Sequence, residues 1–224
     1  MDEQTDPNSF GDSLSRRGLL SGALGVGAVS LAGCGFLEDG TKRSASPAEI
    51  EAGTREQTRF DHEGTEELTL TETVTVGGES RDLELTNYLA SYRKTVPAAD
   101  GGIAAVHLFT TPSVRIAGQE ANPLAELDEQ QLLGEVASRA GEDGMQDVSE
   151  TGTRQVPVLG APRRFRLHEA TTEIQGEEVV VRLPVAKFAH EDDLLVVFAS
   201  YPKLLEETAG SYDAIQGTVH PATE

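Results

Sequence analysis

The side chains best suited to proton transfer or metal ligation near neutral pH are five histidines, His62, His107, His168, His190 and His220, in a chain of 224 residues. His190 precedes Asp192 and Asp193, and an imidazole beside two carboxylates is a donor set that suits a hard or borderline cation. The same run also makes a charged hairpin turn, and that is the competing expectation. His107 lies inside the apolar stretch 103–110 (IAAVHLFT), where a core histidine bonded to a neighbour is expected and a general base is the alternative. With 38 acids in the chain, a Ser/His/Asp set assembled on paper from His107 or His190 specifies nothing. Arg163-Arg164-Phe165-Arg166-Leu167-His168 is the one locally basic stretch. On a strand, Arg164, Arg166 and His168 share a face opposite Phe165 and Leu167. Such a stripe offers bidentate bonding to an anionic ligand or an acidic partner, against the alternative of internal pairing with the chain's own acids. Nucleophile elbow, Walker loop, His-Glu-x-x-His and calcium-loop patterns are all missing from the sequence, so no catalytic residue, metal or cofactor is assigned.

Cys34 is the only cysteine, which excludes an intrachain disulfide framework and a multi-thiolate metal site. Its surroundings point to a different chemistry. Ser15-Arg16-Arg17-Gly18 opens an uncharged run of 16 residues, five of them Gly, that ends Leu31-Ala32-Gly33-Cys34. The run is too short and too weakly apolar to span a bilayer, for which about 20 predominantly apolar residues are needed. Arg16 and Arg17 resemble a twin-arginine export signal, and Leu31, Ala32 and Gly33 before Cys34 resemble a lipobox. The expectation is a signal peptide over 1–33, cleavage before Cys34, and a lipid on its sulfur. Two lipid chains, at about 0.8 kcal/mol per buried CH₂, give a stable anchor without a spanning segment. The protein is then expected at the cell membrane, on its extracytoplasmic face. Four acids (Asp2, Glu3, Asp6 and Asp12) precede the arginines, which suits the twin-arginine route better than a basic general secretory signal.

The chain carries 38 Asp and Glu against 18 Lys and Arg, a net charge of −20. Phosphate backbones and anionic headgroups are therefore poor partners, and no nucleic-acid binding is expected. Only 4 bases are Lys against 14 Arg, and Glu outnumbers Asp 25 to 13, an acidic, lysine-poor texture similar to proteins of salt-loving organisms. Removal of 1–33 leaves 191 residues at −18, so the acidity belongs to the mature protein.

The elements that must position these residues follow from periodicity. Residues 34–53 are polar and aperiodic and read as a lipidated flexible tether, followed by a single globular domain over 54–224. Leu68, Leu70, Val74 and Val76 alternate with Thr69, Thr71, Thr73 and Thr75, then Gly77-Gly78 turns the chain into a strand carrying Leu83, Leu85 and Leu89, a hairpin. The 103–110 run is expected as a central strand buried on both faces, with Val114 and Ile116 as a short extension. Asp128 and Gln131 form a capping box ahead of the stripe Leu132, Leu133, Val136, Ala137 and Ala140, with Leu127 and Leu132 as the staple and Gly141 as the stop. Four more strands follow around Val156–Leu159, Phe165–Leu167, Val179–Val185 and Leu194–Ala199. A terminal helix carries Leu205, Thr208, Tyr212, Ile215 and Val219. The expected class is α+β: a mainly antiparallel sheet of about six or seven strands, an inserted helix and a C-terminal helix.

This order of elements is similar to the fold of the PsbP subunit of photosystem II and its relatives, which implies a binding or assembly factor rather than an enzyme. The export signal, Asn87-Tyr88 to Tyr92-Arg93, Thr111-Pro112, Asn122-Pro123-Leu124 and the run from His190 to Pro202 resemble uncharacterised haloarchaeal lipoproteins across nearly the whole chain. The resulting expectation is a lipid-anchored, non-enzymatic module that binds a protein partner or a small solute. The alternative is a cell-surface hydrolase or metal-dependent enzyme using His107 or His190 with nearby carboxylates.

Overall fold

The computed structural model describes residues 42–221 apart from 77–78, 97–101, 117, 130, 133, 135–143, 175 and 206–207. Its framework is two antiparallel meanders laid side by side. The first contains β3 (Asp61–Val76), β4 (Glu79–Val96) and β5 (Gly102–Pro112); the second contains β8 (Gln146–Val158), β9 (Ala161–Ile174), β10 (Glu177–His190) and β11 (Asp193–Pro202). Antiparallel pairing of β5 with β11, from Asp193 opposite Pro112 to Ser200 opposite Ala105, joins them into one sheet.

The predicted hairpin is present, with Val76 paired to Glu79 across the two glycines, which themselves lie outside the described residues. Its register puts Leu68, Leu70 and Val74 toward the interior and leaves Thr69, Thr71, Thr73 and Thr75 exposed. The central strand behaves as its sequence demands: Ala104 to Pro112 is buried without a break, as a strand covered on both faces must be. At the β8–β9 reversal, Leu159 and Gly160 take φ 52° and 73°, the left-handed pair of a two-residue hairpin turn. Leu159 therefore belongs to the turn and not to the strand, which ends at Val158, one residue short of the expected Val156–Leu159.

Three expectations need correction. The molecule is predominantly β, with 67% of it in strands, rather than α+β. Among the described residues, helices α1 (Ala52–Thr58), α2 (Pro123–Glu126) and α3 (Thr208–Gln216) are short, and Leu205 and Val219 of the predicted terminal helix fall outside α3. The sheet has eight strands and is mixed, because the three-residue β1 (Lys42–Ser44) runs parallel to β4 along Glu84–Thr86, on a stretch that β5, which pairs from Tyr88 onward, leaves open. The tether assigned to 34–53 is also too long. From Lys42 the chain is part of the fold: Ala48 and Ile50 are 1% and 2% exposed in the core, and β2 (Glu49–Ile50) pairs with β12 (Thr218–Val219). Val114 and Ile116, third, do not extend β5; β6 (Arg115–Ile116) turns back onto β7 (Gln119–Glu120) as a separate small hairpin.

Each face of the sheet has its own core. On one, Tyr92, Val106, Leu108, Phe165, Val197 and Tyr201 pack with Ile50, Phe60, Tyr212 and Ile215 from the segments around α1 and α3. On the other, Leu89, Phe109, Val185, Val196 and Phe198 pack with Leu124 and Leu132. The capping box forms reciprocally: Gln131 N–H donates to Asp128 Oδ1 at 2.8 Å and Asp128 N–H to Gln131 Oε1 at 3.0 Å. Leu132 is buried beneath it; Leu133, Val136, Ala137, Ala140 and Gly141 of the predicted helix lie outside the described residues or have no described side chain. Lys187 holds this layer to the sheet. Its ammonium donates to the carbonyls of Ala125 and Leu127, both at 2.6 Å, and burial lowers its pKa while Glu129, Asp128 and Glu120 oppose that shift.

Candidate functional site

The tight β10–β11 turn brings His190 opposite Asp193, with Glu191 at φ 52° between them. This left-handed kink is what a two-residue antiparallel turn requires. It leaves Asp193 buried, 1% exposed, rather than beside Asp192 at the surface. Asp193 Oδ2 accepts the backbone N–H of Ser46 at 2.8 Å and lies 3.1 Å from His220 Nε2. The same Nε2 is 3.1 Å from the carbonyl oxygen of Ser46. Both of these neighbours are acceptors, so Nε2 carries the hydrogen and the neutral His220 ring has its lone pair on Nδ1. That lone pair faces His190 Nδ1 at 3.0 Å, with the two rings edge to face. His190 is then the donor, which leaves its own Nε2 as the basic nitrogen of the chain.

The result is a carboxylate–imidazole–imidazole relay built from three distant parts of the sequence. Burial is the main cause that lowers the His190 pKa from its ordinary 6.5, followed by the charge of His220 and, more weakly, Arg163; Glu191 and Asp193 push the other way. The arrangement can hold a defined tautomer and accept a proton at its outer end, as an oriented imidazole does in acid–base chemistry. Of the two expectations for this run the hairpin turn is what forms, and a cation held jointly by His190, Asp192 and Asp193 does not match this geometry, since the Asp193 carboxylate is spent on Ser46 and His220. Among the described residues, no group of three or more His, Cys, Asp or Glu is placed to hold a metal ion.

His107 is the core histidine its sequence context suggests. It is fully buried on β5, with Nδ1 3.0 Å from Ser91 Oγ on β4 and its ring stacked on Phe198 at 4.6 Å. His62 stacks on Tyr92 at 4.9 Å and bonds Thr65 Oγ1.

The basic stripe on β9 is real as a face but not as a row of available charges. Phe165 and Leu167 belong to one core, and Arg164, Arg166 and His168 point to the other side, as alternation predicts. Arg166 Nε is paired with Glu129, and its Nη1 lies 3.4 Å from Glu150 Oε2. His168 is turned inward at 4% exposure, its Nδ1 without a hydrogen-bond partner. Arg164 is exposed, cross-strand from Gln155. Internal pairing therefore claims Arg166, and the remaining candidate contact is Arg164. Arg16, Arg17, Leu31, Ala32, Gly33 and Cys34 lie outside the described residues.

The sequence names His220 only as one of five histidines, without a role, and does not mark Ser46 at all. Neither stands in a motif, and their partners are 147 and 27 residues away in Asp193. The only available hint was that His220 directly follows the last periodic apolar position, Val219.

The class these features define is a predominantly β domain, one mixed sheet packed on both faces. A family described as a domain of unknown function (DUF6517) matches residues 47–219, and the chain belongs to that family. The matched span runs between Ser46 and His220, the outermost members of the relay in the sequence. No curated protein matches the chain. Among the described residues, no helix is long and apolar enough to cross a membrane.

Proposed function

We propose that this protein is a lipid-anchored, extracytoplasmic binding or assembly module, exported by the twin-arginine route through Arg16 and Arg17 and held at the membrane by a lipid on Cys34. What supports the non-enzymatic reading is the employment of the groups that could do chemistry. Asp193 and His220 tie chain segments together inside the domain, His107 is stacked in the core, and Arg166 serves two internal acids. The meander pair with layers on both faces is in keeping with the PsbP-like resemblance, and the net charge of −20 with the haloarchaeal one.

The tether in this reading is short. Only residues 35–41 separate Cys34 from β1, and a fully extended segment of that length reaches at most about 25 Å. The module therefore works close to the bilayer, with the β1 entry as its nearest described element. Its partner is a membrane-associated protein or a small solute, contacted away from the two packed cores; Arg164 is an exposed cation on the β9 face that can meet an acidic group.

Two measurements test this. In the producing organism, Cys34→Ser is expected to move the protein from the membrane fraction to the soluble one, and mass spectrometry is expected to find a lipidated Cys34 as the first residue. An unprocessed amino terminus or a free thiol would overturn the anchor. Crosslinking and pull-down from membranes at native salt are expected to return one dominant neighbour, unchanged by His107→Gln; no enriched neighbour or bound solute would count against a binding role.

A further inference from the structure

We propose that the Asp193–His220–His190 chain is an acid-sensitive latch, fastening both the entry segment at Ser46 and the tail at His220 to the β10–β11 turn and releasing them together when the imidazole pair takes up its second proton. The inference does not depend on what the module binds.

The proton count follows from the contacts. In the neutral pair, His220 donates through Nε2 to Asp193 and Ser46, and accepts His190 Nδ1–H at 3.0 Å. A first proton can go to the outer Nε2 of His190. Every contact survives, because the buried Asp193 carboxylate balances the new charge. The second proton has only His220 Nδ1 left. It sets two N–H groups against each other 3.0 Å apart, removes the hydrogen bond and places two cations side by side in a site where His220's side chain is 0% exposed.

Arg163 faces the pair from β9, Glu191 and Asp192 lie in the turn, and Asp193 starts β11; Glu49 on β2 stands opposite Val219, next to His220. Burial and His220 outweigh the nearby acids and keep the His190 pKa below 6.5. A depressed folded-state pKa means that the unfolded segment binds the proton better. The first proton therefore enters below pH 6.5 with every contact kept, and the second, which opens the latch, follows only at lower pH, so the latch's contribution is complete above pH 6.5 and is lost below the range of that first uptake.

What comes free is a defined unit. The entry segment and the tail are joined by β2–β12 pairing, Ile50 with Thr218 and Glu49 with Val219, and both are pinned by Asp193 and His220. The seven long strands keep their ladders without them.

Hydrogen–deuterium exchange on the full chain, at constant high salt and corrected for the intrinsic pH dependence of amide exchange, tests the latch. Peptides covering 42–51 and 217–221 are expected to lose protection together below pH 6.5, by about tenfold per pH unit where one proton is taken up per opening, while β5 and β11 stay protected. His190→Gln keeps an amide donor for a neutral His220 Nδ1 and, by turning its carboxamide, offers an oxygen to a protonated one, so neither opposed N–H groups nor a second cation can arise. It is expected to abolish the pH dependence and leave the tail protected at neutral pH. The latch is overturned if the two peptides show no transition, if they open only with the whole sheet, or if His190→Gln retains the wild-type pH profile.

Discussion

The Tyr92 hydroxyl accepts the Ile50 N–H at 3.0 Å inside a core where both residues are almost fully buried, and burial raises the tyrosine's pKa. One oxygen thus satisfies a backbone donor that no ladder reaches. Tyr92→Phe preserves the packing and orphans that N–H, so a loss of about 1–3 kcal/mol is expected from chemical denaturation, without change in denaturant slope. An unchanged midpoint would mean that water or another acceptor takes over. At this scale the sequence speaks unevenly. It marks His107 as a core residue because its seven neighbours in the run 103–110, apolar apart from Thr110, announce a doubly buried strand. It marks the β9 face because alternation is a backbone property. It is silent on whether Arg166 finds Glu129 and Glu150, or His220 finds Asp193, since such choices are settled by which loops the fold brings together.

Elements were legible in proportion to their length. The long strands declare themselves by period-two alternation, and the capping box by a four-residue pattern; strands of two or three residues, such as β1, β2 and β12, have no period to read. This is why residues 42–53 pass for a tether in sequence and are wall and roof of the domain in structure. Ile50→Ala separates the two descriptions. In a tether it would be neutral; at 2% exposure in the core it is expected to cost about 2–4 kcal/mol in a denaturant titration. A second test addresses how closely α1 approaches the end of α3. A Cβ built on Gly217 would collide with the side chain of Thr54, so Gly217→Ala is expected to destabilise by roughly 1–3 kcal/mol. Adding Thr54→Ala should recover most of that loss, a non-additivity that only a direct contact produces. The α+β expectation failed at this same level. Periodicity counts helices as readily as strands, but α1, α2 and α3 are 7, 4 and 9 residues long, against strands of up to 18.

For the molecule as a whole, the dominant long-range term is its charge of −20, of which −18 lies beyond residue 33, on a chain whose edge strand β3 exposes Glu63, Glu66 and Glu67. Acids on an open edge oppose strand addition by a second copy, but they also repel one another within the fold. The local ion pairs do little against this: Lys42 with Glu84 and Lys203 with Glu169 are exposed, and such pairs contribute about 0–1 kcal/mol each. Screening is the remaining remedy. Raising ionic strength from about 0.1 to 1 M shortens the Debye length from roughly 10 to 3 Å, so the unfolding midpoint in urea is expected to rise with sodium chloride. Salt also strengthens apolar burial, and the two effects must be told apart. A variant with Glu66, Glu67, Glu177 and Glu178 changed to Gln removes surface repulsion and leaves both cores intact. If repulsion is what salt relieves, this variant is more stable than the parent at low salt, and the difference closes as salt is added. A parallel rise of the two curves, with the gap unchanged, would assign the salt effect to burial and leave the acidic surface without a role in stability.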